Sequence, residues 1–121
     1  MTEALLQDFL TQAVMHETVR PYFHVDSRPE RLPVTVLNTT PSAVGSLTLF
    51  GTPAVVHEGA TAADVDSSQD KAVLVLDSVE MDESTARLRF QYPIEGLAVD
   101  ATFARQDNAS WTITTIDAAE Q

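Results

Sequence analysis

The chain has 121 residues, 44% of them hydrophobic, which suits one domain with a real core and makes global disorder untenable. There is no cysteine, which excludes disulfide scaffolds and thiolate metal sites. Eighteen acids against seven bases give a formal net charge of −11, which argues against nucleic acid and anionic membrane as partners and admits a basic protein.

Leu5, Leu6, Phe9, Leu10, Ala13 and Val14 recur at helical spacing behind Thr2, a suitable N-cap, and Glu3 in the first turn. The spacing predicts a helix over residues 3–19, stopped ahead of Pro21 because the residue before a proline is pushed out of the helical region. Residues 1–20 carry Glu3, Asp8 and Glu17 in place of the basic start of a secretory signal, and no apolar run is long enough for a bilayer. A cytoplasmic location is expected if Met1 is the natural start.

The stretch "PYFHVDSRPERLP" reads as a loop over about residues 20–32. From residue 33 to 117 the text is strands: "VTVLN", "SLTLF", "AVVHE", then an Ala/Asp/Ser loop from Gly59 to Asp70, then "AVLVLDSVEM", "TARLRFQY", "LAVDATFAR" and "SWTITTI". Short turn signals between them predict antiparallel hairpins in a single domain over 1–121. A hairpin around "PIEG" sets Tyr92 opposite Leu97, Phe90 opposite Val99, Leu88 opposite Ala101 and Arg89 opposite Asp100, so that apolar meets apolar on one face. A three-residue "QDN" turn with Asn108 left-handed would align Phe103 with Trp111 and Ala101 with Ile113.

"AVLVL" breaks the alternation. Strict period two puts Val73, Val75, Asp77 and Val79 on the helix side and Leu74 and Leu76 on the other, where they are equally apolar. A strand apolar on both faces is covered on both, and one helix cannot do that. The second face is therefore expected to meet a curled sheet edge, a ligand or another chain.

A leading helix and a long antiparallel meander whose last strands read "YPIEGLAVDATFARQDNASWTIT" resemble the cystatin-like and NTF2-like superfamily, over about residues 70–117. The resemblance implies an α+β fold with the N-terminal helix packed on a curled antiparallel sheet. NTF2-like enzymes carry further helices before the sheet, which this sequence lacks, and no catalytic residue is carried over.

"DVDSSQD" opens like a calcium loop, with Asp64, Asp66 and Ser68 at alternate positions, but Gln69 stands where the turn needs glycine and Val75 where a bidentate glutamate should be. Asp64, Asp66, Asp70 and His57 are thus weak metal candidates beside a plain reading as a solvated loop, and no cofactor is implied. His57 and Glu58 could meet His24 only through the fold, since no HExxH-type spacing exists and His16 belongs to the helix. Asp77, set among valines, is the candidate general acid or base, because desolvation would raise its pKa. A bulge or strand end exposing it to water is the competing reading. Leu74, Leu76, Arg87, Arg89 and Asp100 together make a candidate interface, apolar at its centre and arginine-rich at its margin. These observations predict a non-catalytic interaction module that associates through its sheet, most simply as a homodimer. Two alternatives stand beside it: a small-molecule pocket protein or NTF2-like isomerase or hydrolase using a helix–sheet cavity and Asp77, and an acidic inhibitor or immunity-type protein for a basic partner.

Overall fold

The computed structural model describes residues 2–68 and 71–120. It is an α+β domain: helix α1 (Glu3–Met15) lies on one face of a six-stranded mixed sheet built from β1 (Thr35–Asn38), β4 (Val55–Glu58), β5 (Val73–Met81), β6 (Thr85–Tyr92), β7 (Leu97–Arg105) and β8 (Trp111–Glu120). The order across the sheet is β4-β1-β5-β6-β7-β8, and the sheet is open and mostly uncurled. A separate two-stranded ribbon, β2 (Thr48–Leu49) and β3 (Thr52–Pro53), is closed by Phe50 and Gly51, both at positive φ as a two-residue hairpin turn requires.

Helix α1 starts as expected, with the Thr2 hydroxyl accepting from the Leu5 amide at 3.2 Å. It ends four residues earlier than residue 19. His16 is extended and its Nδ1 accepts from the Thr18 amide, which withdraws that amide from a continuing helix. The loop over 20–32 contains two single turns of 3-10 helix, Arg20–Phe23 and Pro29–Arg31. Leu6, Phe9, Leu10, Ala13 and Val14 are fully buried at spacings of three and four, the stripe that a helix lays on a sheet. Against them stand Leu88, Phe90, Val99, Ala101 and Phe103 of β6 and β7. Phe9 stacks on Phe103 at 4.5 Å between centroids and meets the Trp111 ring edge-on at 5.5 Å.

The sheet is not wholly antiparallel. β1 runs parallel to both β4 and β5 and sits between them, while β5 to β8 form the antiparallel meander. The connection from β4 to β5 passes through α2 (Ala62–Asp66), a single capped turn inside the stretch expected to be loop. The segment carries Ala60 and Val65 onto Leu37, Val73 and Val75, forming a small second cluster on the sheet face opposite α1. These residues cover the second face of "AVLVL".

The face assignment of β5 is accordingly reversed. Leu74 and Leu76 are 0% exposed and belong to the main core under α1, whereas Val73 and Val75 point away from it. A β-bulge between Leu76 and Ser78 inserts Asp77 as an extra residue, and the shifted parity returns Val79 to the core side. The β6–β7 register is as read: Tyr92↔Leu97, Phe90↔Val99, Leu88↔Ala101 and Arg89↔Asp100. The β7–β8 register is not. The turn spans residues 106–110 and its left-handed residue is Ala109, so Phe103 faces Ile113 and Trp111 faces Arg105. A second irregularity between Thr102 and Phe103 leaves Thr114 extra, so Ala101 faces Ile116.

Candidate functional site

Opposite α1, the sheet is covered by α2 only over β1 and the start of β5. Across β6, β7 and β8 the outer face is open. Cross-strand register places Ser78, Arg89, Asp100 and Asp117 in one row, with Gln91, Ala98 and Ala119 in the next. Arg89, Asp100 and Asp117 in the first row are long or charged, whereas Ala98 and Ala119 beside them are methyl-sized, so the surface steps down across β7 and β8. The result is a shallow depression of ≈ 350 Å³ lined by Asp77, Arg89, Gln91, Ala98, Asp117 and Ala119.

Asp100 is the electrostatic centre of this face. Arg87 grips it with two hydrogen bonds, Nε to Oδ1 at 2.9 Å and a terminal nitrogen to Oδ2, and Arg89 adds Nε to Oδ2 at 3.2 Å. The Arg87 hydrogen bonds, with Arg89 assisting, hold the Asp100 carboxyl below the usual carboxylate range, and the same contact pushes the Arg87 guanidinium up. The stability this brings is present above the unfolded-state value and fades as pH falls through the folded one. Asp100→Asn should therefore cost less than about 1 kcal/mol at neutral pH, because the three side chains are partly exposed, and its difference from wild type should shrink toward zero as pH falls below about 4. Thermal unfolding of both proteins across pH checks this.

Asp77 is exposed at its bulge, where Gln91 donates from Nε2 to Oδ2 at 2.8 Å. The apolar surroundings that a general acid or base would need are absent, because the extra residue turns this carboxylate outward. Asp117, on β8, has no ion-pair partner among the described residues, and neither does Asp77. Arg87 and Arg89 are both spent on Asp100, so the charges around the depression without an ion pair among the described residues are those of Asp77 and Asp117. Of the residues expected at an interface, Arg87, Arg89 and Asp100 lie together on this face and Leu74 and Leu76 do not, being sealed in the core.

The metal candidates do not converge. Asp64 is the third residue of α2, and its carboxylate closes a capping box by accepting from the Thr61 amide at 2.8 Å and hydroxyl at 3.0 Å. Asp66 is two residues further along the same turn, so it faces another side. His57 Nε2 stands 3.9 Å from Asp64, and Asp70 lies outside the described residues. Among the described residues no three His, Asp or Glu side chains are grouped to hold a metal ion. His24 is not near His57 in its pairing: its Nε2 meets Glu95 at 3.1 Å.

Two polar clusters that the sequence reading missed are structural clamps. Glu95 also accepts from Arg31 at 3.1 Å, tying the 20–31 segment to the β6–β7 turn. Beneath them Tyr92 stacks on Phe23 at 4.1 Å, with its hydroxyl buried and without a hydrogen-bond partner among the described residues. Burial raises the Tyr92 pKa, opposed by the nearby Arg31. The Tyr92 hydroxyl has at most a weak contact with Arg31, so Tyr92→Phe should change thermal stability by less than about 1 kcal/mol. A loss of more than about 1 kcal/mol in that measurement would show a hidden partner. At the other edge, Glu58 accepts from Asn38 at 2.8 Å and from the Val44 and Gly45 amides near 3.0–3.1 Å, fixing the loop after β1. Burial alone would push the Glu58 carboxyl up, but these hydrogen bonds together hold it below its ordinary value.

No family model, curated protein or solved structure matches this chain. No helix among the described residues is long and apolar enough to cross a membrane. The geometry of the open face is what bears on function.

Proposed function

We propose that this domain is a non-catalytic interaction module that docks a basic protein segment on the open half of its sheet. The observation that carries the reading is the depression on the outer face of β6–β8, whose carboxylates Asp77 and Asp117 have no ion pair among the described residues. A net charge of −11 would steer a cationic partner toward it and would oppose a second copy. Self-association through this face had its rationale in an apolar centre at Leu74 and Leu76, and both are core residues. The helix ahead of the β5–β8 meander supports a cystatin-like or NTF2-like architecture, with the parallel β1 and β4 as its departure from that plan.

Binding of an oligolysine peptide, followed by calorimetry at rising salt, tests the reading. Affinity should fall steeply between low and physiological ionic strength, where screening shortens to about 8 Å. It should drop further in Asp77→Asn/Asp117→Asn, and not in Glu17→Gln/Glu83→Gln, which removes the same charge elsewhere. Equal losses in the two double variants would reduce the effect to net charge and refute a site.

A further inference from the structure

Strand β8 is the outermost strand on the side of the open face, pairs only with β7, and is ten residues long. Its outward backbone is nearly bare: among the described residues only Gln12 of α1 reaches it, donating from Nε2 to the Trp111 carbonyl at 2.9 Å. Native edge strands are protected by shortness, lysine, proline or a cover. The opposite edge, β4, has such protection, with four residues and the Glu58-pinned loop beside it. In "WTITTIDAAE" there is no lysine and no proline, and its devices are the extra residue Thr114 and the acids Asp117 and Glu120, which repel an acidic strand and admit a basic one.

The side chains of β8 are also incomplete on the core side. Ile113, Ile116 and Ala118 pack against the main core yet remain only half-buried, because the sheet ends there. On the other side Thr112, Thr115, Asp117 and Ala119 face the open surface, with Asp117 unpaired. An added strand would find backbone partners along the edge, apolar neighbours on one side and a carboxylate on the other.

Resting on the docking reading above, we infer that the basic partner binds as an extra β-strand along β8, in a segment that alternates apolar and basic residues. Its apolar side chains would complete the cover of Ile113 and Ile116, and its basic ones would lie on the open face beside Asp117. Backbone hydrogen bonds supply affinity in this mode and the alternating side chains supply selectivity.

The test uses a peptide of alternating lysine and valine, the same peptide N-methylated at every backbone nitrogen so that neither of its edges can donate, and oligolysine, against the whole chain. The alternating peptide should bind at least about tenfold more tightly than its N-methylated form, which cannot form the ladder. It should also slow hydrogen exchange at amides of residues 112–119. Equal binding of the two, with salt-sensitive oligolysine binding intact, would overturn strand addition and leave the docking reading standing. Failure of all three peptides to bind would remove both. A peptide-free dimer by sedimentation, with amides 112–119 already protected, would overturn the inference by assigning the edge to a second copy.

Discussion

Phe9→Ala is expected to destabilise the domain by about 3–5 kcal/mol. Phe9 is 0% exposed at the middle of the α1 stripe, stacked on Phe103 and touched edge-on by Trp111, so truncation leaves a cavity that three elements would have to collapse to fill. β7 and β8 are held in register by their own hydrogen bonds and cannot follow the helix inward, which places the cost toward the upper part of that range. Aromatic pairing adds about 0.5–1.5 kcal/mol to what burial alone provides. Denaturant unfolding of wild type and variant gives the difference directly, and a change under about 1 kcal/mol would contradict the placement of α1 on this face.

Leu76→Glu should leave the domain largely unfolded. Leu76 is 0% exposed, pairs with Asn38 on β1 and Phe90 on β6, and lies in the core beneath α1. Leu76→Ala would already cost about 2–5 kcal/mol. A carboxylate with no partner there adds a desolvation penalty of several kcal/mol, against a total stability of about 5–15 kcal/mol for a typical domain. The same substitution at a solvent-facing interface would give a folded protein with altered association. Circular dichroism of the purified variant separates the two: loss of cooperative unfolding is expected, and a native spectrum with wild-type melting would contradict the core assignment.

That second substitution marks where sequence and structure part. The β6–β7 register was legible because "TARLRFQY" alternates strictly and its turn is short, ending at Gly96 in the left-handed region that glycine adopts freely. Neither condition held in β5. "AVLVL" is apolar on both faces, so its parity carries no information, and the bulge at Asp77 then exchanges the faces without any glycine to announce it. The cover over Val73 and Val75 was hidden for a related reason. α2 is five residues of Ala, Asp and Val with one apolar anchor, Val65, too short to display a helical period.

A usable signal for the parallel strands was present. The stretches joining β1 to β4 and β4 to β5 are longer than hairpin loops, and parallel neighbours require such crossovers. For the site, the cross-strand charges Arg87, Arg89 and Asp100 could be read from the register, and the structure brings them together. Asp117 could not, because the extra residue at Thr114 decides which way it points and "DAAE" has little strand propensity of its own.

The claim that the open half of the sheet is the working surface is tested most directly by mapping backbone amide chemical shifts during an oligolysine titration at low salt. Saturable changes should concentrate at Arg89, Gln91, Ala98, Asp117 and Ala119, which line or border the depression. Changes centred instead on the acidic turns at Asp64–Asp66 and Asp82–Glu83, or spread over the surface without saturation, would contradict it.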